Sequence, residues 1–430
     1  MAETTSDGPR PGRAGPDASA PGPARRELPV GAIVFAGALI ALLSMGVRSV
    51  LPLWQTPMLQ ELGWSSFEFS VALATQNLMW GAFSPLFGAL ADRFGAWSSL
   101  LIGAMLQAAG LWVMSAASDP TAFFLSAGLM IGVAQSASGM GIVLGAVGRV
   151  VPERHRTMAF GLITSASSAG MIVVTPIGRA LLETQGWADA FVGLAVLSLP
   201  MIALAFLMRT RRGHGGGGDA ARITVGQALG EAARHRGYVL LVLGFFVCGF
   251  HVTFIGVHLP KYLNDIGLGW QLGATAMMII GVFNVASCLA VGVVASAVSK
   301  KGVLAMIYIG RAVAIAAFVL APPSEWSVYL FAAAIGVLWL STVPPTQGIV
   351  AQVFGTQHMT MLFGIVFLGH QVGSFLGVTL GARAFDAFGS YDLVWYAAVA
   401  LGILAAVCHL LIDEKPVTRT AAAPAPAPAE

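Results

Sequence analysis

Long apolar runs separated by short polar breaks dominate the chain. They stand near residues 30–50, 69–91, 97–117, 121–148, 157–181 and 188–208, then 238–259, 272–298, 303–321, 327–350, 359–381 and 393–412. A helix needs about 20 apolar residues to cross a ~30 Å hydrocarbon layer, and these runs approach or exceed that length. In lipid a segment must satisfy its own backbone groups, and the runs are too long for barrel strands, so twelve transmembrane helices are predicted. The break at 209–236 carries Arg209, Arg211, Arg212 and the glycines 215–218, and divides the helices six and six. The expected organisation is a disordered tail over 1–28, a six-helix bundle over 29–208, a linker over 209–236, a second bundle over 237–412 and a disordered Ala-Pro tail over 413–430.

Residue motifs recur at a nearly constant offset between the halves. Leu59-Gln60-Glu61-Leu62-Gly63 matches Leu263-Asn264-Asp265-Ile266-Gly267 in character, and Phe160, Gly161, Gly170 and Gly178 return as Phe363, Gly364, Gly373 and Gly381. Six helices followed by six of the same orientation imply parallel repeats with a solute site near midplane between them. Composition removes the soluble alternative. Only 10% of residues are charged while 57% are hydrophobic, against about 25% charged in a soluble domain.

Placement of the basic residues orients the chain. With both termini inside, Arg93, Arg149, Arg154, Arg156, Arg209, Arg211, Arg212, Lys300 and Lys301 all fall on the inner side, and only Lys261 lies clearly in an outer loop. The positive-inside rule therefore predicts a multi-pass protein of a bacterial-type inner (plasma) membrane with both termini cytoplasmic. Cys248, Cys288 and Cys408 lie within apolar runs without metal-ligand spacing, so neither a disulfide framework nor a metal is expected.

The loop after the second run reads Gly88-Ala89-Leu90-Ala91-Asp92-Arg93-Phe94-Gly95-Ala96-Trp97. It resembles the G-x-L-x-D-R-x-G-R-[KR] loop of the major facilitator superfamily, with Ala96 and Trp97 in place of the trailing basic pair. The resemblance spans residues 29–412 and implies that fold, with Gly88, Asp92, Arg93 and Gly95 as a conformational latch. Gly46-Val47-Arg48-Ser49 through Glu61-Leu62-Gly63-Trp64 is similar to the monocarboxylate and oxalate–formate porters, which carry a basic residue near the outer end of the first helix. Those porters also place an arginine in the eighth helix, where this chain has Phe283-Asn284-Val285-Ala286-Ser287-Cys288.

Ionisable groups inside a bilayer are costly and mark candidate sites. Arg48, near the outer end of its run, and Arg311, deep in the ninth, are candidate anion-binding charges. For Arg311 a second reading stands beside the first, in which it bonds backbone carbonyls in a supporting helix. Gln76, Asn77, Gln135, Asn284 and Ser341 are candidate uncharged contacts, although such groups also join helices together. No Asp or Glu stands mid-span, so His251 and His370 become the candidate proton carriers.

The resulting expectation is alternating-access transport of a small organic anion, a monocarboxylate by resemblance, coupled to protons or to exchange. A neutral or heterocyclic metabolite is the alternative, and a non-transporting solute sensor the remote one. No HExxH, GxSxG or P-loop motif argues for an enzyme or for ATP drive. The expected partners are a small-molecule solute and the lipid bilayer, with no nucleic acid and no cofactor, and the monomer is the expected working unit.

Overall fold

A computed structural model describes residues 29–209 and 223–419. The expectations for residues 1–28, for the centre of the linker and for the last Ala-Pro residues lie outside the described residues. Among the described residues the fold is all-α, with twelve helices long enough to cross a membrane. We number these α1 (Val30–Val50), α2 (Ser66–Phe94), α3 (Ala96–Ser115), α4 (Pro120–Val150), α5 (153–185) and α6 (187–207), then α7 (Arg236–Asp265), α8 (Trp270–Ala297), α9 (Lys300–Leu320), α10 (Glu325–Phe354), α11 (Met359–Phe388) and α12 (Asp392–Leu410). Gly186, at φ 80°, turns α5 into α6, a conformation that glycine adopts at little steric cost.

The packing is two-fold. α1 lies on α5 as α7 lies on α11, α2 on α4 as α8 on α10, and α3 on α6 as α9 on α12. The glycines repeated in the sequence sit at equivalent crossings. A Cβ on Gly170 would fall 2.1 Å from the Leu42 carbonyl oxygen, and one on Gly373 would fall 2.0 Å from that of Phe246. These small residues let helix backbones meet where lipid supplies no hydrophobic drive for association. Large apolar side chains such as Phe35, Met306 and Leu330 point outward, as lipid-facing surface requires.

The halves meet along two seams, α2 with α11 and α5 with α8. Gly161 faces Gly292 across one seam, and Gly364 faces Ser84 and Pro85 across the other. Contact runs from the face where the chain enters at Pro29 (the terminal face) to the middle of the bundle, ending at Gln371–Asn77 and Asn284–Ser168. Beyond these the halves diverge. Phe375 and Met278 are exposed, and a Cβ on Gly281 would meet nothing within 4 Å. The molecule is closed at the terminal face and open opposite.

Two segments differ from expectation. Within the span read as linker, Val225–Arg234 forms an amphipathic helix, opened by Thr224 and Gln227 capping each other. Within the span read as disordered tail, Arg419 pairs with Glu231 at 3.0 Å, and Glu414 accepts from Ser299 Oγ and the Lys301 backbone N–H at the start of α9. These charge-assisted bonds, to the start of α9 and to Glu231, add to the packing of Val417 against the core.

Candidate functional site

The loop motif takes its place first. Asp92 forms an ion pair with Arg149, and its other oxygen accepts from the Met361 backbone N–H at 2.9 Å, at the first turn of α11. Its carboxylate thereby meets the positive end of a helix in the opposite half. Gly88 permits this approach, since a Cβ there would lie 2.7 Å from the Met361 Cα. Gly95 ends α2 at φ 95°, and the Arg93 guanidinium lies over the Phe94 ring.

Arg48 lies deeper than a residue closing a span would. The chain does not end its helical course at Val50 but runs on through Leu51–Trp54 and Gln55–Leu62. The guanidinium therefore meets α2 near its midpoint, donating Nη2 to Asn77 Oδ1 and lying 4.8 Å above the Trp80 ring. Its Nε is buried without a partner, and no acidic side chain pairs with it among the described residues. Trp80 was not singled out from the sequence, although it stands three residues after Asn77 and so shares its helix face. It packs against the bend at Gly139 that interrupts α4, above a cavity of about 20 Å³, room for a single water.

Across the seam, Gln371 Nε2 donates to the Asn77 carbonyl at 2.9 Å, and Gln371 Oε1 meets His370 Nδ1 at 3.1 Å. A chain of hydrogen bonds thus runs His370–Gln371–Asn77–Arg48. His251 stands apart from it, with Nε2 bonded to the Ala398 carbonyl at 2.8 Å inside the second half.

Arg311 is 2% exposed and turned toward backbone. α10 breaks between Leu338 and Val343, and Pro344 and Pro345 open its second piece. The first piece of α10 stops at Leu338, so the carbonyls of Leu338 and Trp339 have no helical donor four residues on. Arg311 Nε and Nη2 donate to the Leu338 carbonyl at 3.0 and 2.6 Å, and Nη2 also donates to that of Trp339. Of the two sequence readings of Arg311, this is the bonding pattern of the supporting one.

The remaining candidates are held by protein partners. Gln76 donates to the Ala127 carbonyl, and Gln135 bonds Ser44 and Gln107 within the first half. Asn284 accepts from the Leu340 N–H at the α10 break and donates to Ser168 across the seam, while Ser341 pairs with Ser287. Of the seven, Arg48, Asn77 and Asn284 stand where the halves begin to part, and Arg48 and Asn77 bond each other there.

A model of the Major Facilitator Superfamily matches residues 34–361. The chain belongs to the major facilitator superfamily. Among its relatives, Monocarboxylate transporter 13 of Rattus norvegicus is 26% identical over 354 residues, covering 79% of each chain. The uncharacterized MFS-type transporter YcxA of Bacillus subtilis (strain 168) is 22% identical, covering 80% of this chain and 85% of its own. The fold matches the E. coli fucose:proton symporter FucP at a TM-score of 0.68 and 15% identity, covering 89% of this chain and 98% of that one. The superfamily membership and these relatives make the chain a secondary transporter.

Proposed function

We propose that this secondary transporter carries a small organic anion, a monocarboxylate, by alternating access. The observation that supports the reading most is the half-buried Arg48 guanidinium, bonded to one amide and one aromatic face and lacking an acidic partner among the described residues. An uncompensated cation is costly inside a membrane. A carboxylate reaching it between the parted halves would receive charge-assisted hydrogen bonds there, which are about twice as strong as neutral ones. The relatedness to a protein named a monocarboxylate transporter agrees with this choice.

On this reading the terminal face is cytoplasmic, and Gly88, Asp92, Arg93 and Gly95 form the latch that closes it while the site faces outward. His370 is the coupling residue in preference to His251, because its hydrogen-bond chain ends at Arg48. A proton on His370 balances the charge brought by the anion on Arg48, so the doubly loaded site carries the same net charge as the empty one.

Counterflow uptake in proteoliposomes tests the proposal, with a panel of short monocarboxylates and neutral metabolites of similar size as controls. Carboxylate uptake that disappears in Arg48→Gln is expected. Uptake of neutral solutes only, unaffected by Arg48→Gln, would replace it with a site for neutral metabolites held by Asn77 and Trp80.

A further inference from the structure

A groove of about 1030 Å³ opens on the outer flank of the bundle, between α1, α5 and α8. Its walls are apolar, with Phe35 from α1, Met158 and Leu162 from α5, and Ala290 and Val293 from α8, and His155 stands at its terminal end. Phe35, Met158, Leu162 and Val293 are all exposed, so the groove faces the surroundings of the bundle and not its interior. Along α1 it extends over residues 30–38, about 12 Å at 1.5 Å per residue. One leaflet of a ~30 Å hydrocarbon core is about 15 Å deep. The groove therefore matches the apolar depth of the terminal-face leaflet.

Its mouth has the opposite character. It lies at the first turn of α5, where backbone N–H groups and the positive end of the helix dipole favour an anion. At about 100° per residue, Arg154 and Arg156 stand on either side of His155 on that turn. Arg154 is exposed and forms no ion pair among the described residues, and Arg156 keeps a buried Nε without a partner. Glu153 is the opposing charge of the turn, leaving it net positive.

We infer that this groove is a binding site for one anionic phospholipid of the terminal-face leaflet, its acyl chain lying along α1, α5 and α8 and its phosphate at Arg154, His155 and Arg156. A soluble anion would use the mouth and leave the groove empty, whereas the phospholipid matches both. The groove lies beside the Gly161–Gly292 crossing, which joins the two halves. Its lipid touches both halves at the seam, and rocking one half against the other changes its shape, so occupancy favours the arrangement closed at the terminal face. The inference rests on the membrane fold and not on the choice of solute.

Native mass spectrometry of the full-length protein, released from detergent after exposure to phosphatidylglycerol, phosphatidylcholine or inorganic phosphate, tests it. The wild type should retain one phosphatidylglycerol about tenfold or more in preference to phosphatidylcholine. The doubly substituted Arg154→Gln, Arg156→Gln protein should lose the preference while still retaining lipid. Ala290 is exposed, and Ala290→Trp should obstruct the path of the acyl chain and weaken retention of either lipid. Equal retention of the two lipids by the wild type would overturn the inference without reference to any variant. So would an unchanged preference in the double variant, or displacement of phosphatidylglycerol by inorganic phosphate.

Discussion

Two arginines lie within the helical bundle, one in each half, and their surroundings separate them. Arg311 in the second half gives three hydrogen bonds to the carbonyls of Leu338 and Trp339, closing the break in α10. Arg48 in the first half gives one, to Asn77. Each rests against an aromatic ring, Trp80 or Tyr308, and each keeps one buried nitrogen without a partner, Arg48 Nε and Arg311 Nη1. The same residue type at comparable depth thus serves as a structural clasp in one place and as a candidate binding charge in the other. What separates them is how many acceptors the chain itself supplies, three bonds to backbone carbonyls for Arg311 and one to a side-chain amide for Arg48.

The contrast can be broken at either end. Arg311→Ala strands two buried carbonyls, at about 1–3 kcal/mol each, and should lower unfolding stability by about 3 kcal/mol or more, read as a large fall in the detergent melting temperature. Added guanidinium should restore part of it. Arg48→Gln should leave the melting temperature of the empty protein nearly unchanged while weakening carboxylate binding about 10–100-fold, as loss of a charged hydrogen bond does. A large stability loss on Arg48→Gln would erase the distinction. On the proposed coupling, carboxylate uptake by the wild type should rise on acidification; His370→Gln should flatten that rise, while His251→Gln, outside the Arg48 chain, should leave it in place. The smallest effect is reserved for Arg179 and Glu183, an exposed i,i+4 pair at 2.6 Å; Arg179→Gln should leave the melting temperature unchanged.

The helices and their six-plus-six arrangement were legible because a membrane span leaves an unmistakable run of apolar residues. The glycine repeat was legible because each copy does the same work at a symmetric crossing, Gly161 at α5–α8 and Gly364 at α2–α11. The segments outside the bilayer were harder to read. Val225–Arg234 is short and polar, and only the Thr224–Gln227 capping pair hinted at a helix. The anchoring of residues 413–419 depends on partners more than 100 residues away in sequence, such as Ser299 and Lys301.

Among the site candidates, a polar residue in an apolar run announces that it needs a partner without saying which. Gln76, Gln135, Asn284 and Ser341 found theirs on neighbouring helices, because helix rotation aims each side chain and an apolar run does not encode rotation. Arg48 and Asn77 were on the page as separate candidates. Their meeting, and the place of Trp80 beneath them, required the continuation of the first helix past Val50.

The most direct measurement is thermal stabilisation of the purified protein by short monocarboxylates, compared between the wild type and Arg48→Gln. The account predicts a rise in melting temperature that grows with carboxylate concentration in the wild type and vanishes in Arg48→Gln, with neutral analogues inert in both. Equal stabilisation of the two proteins by the carboxylates would contradict it, because the anion would then be held without Arg48.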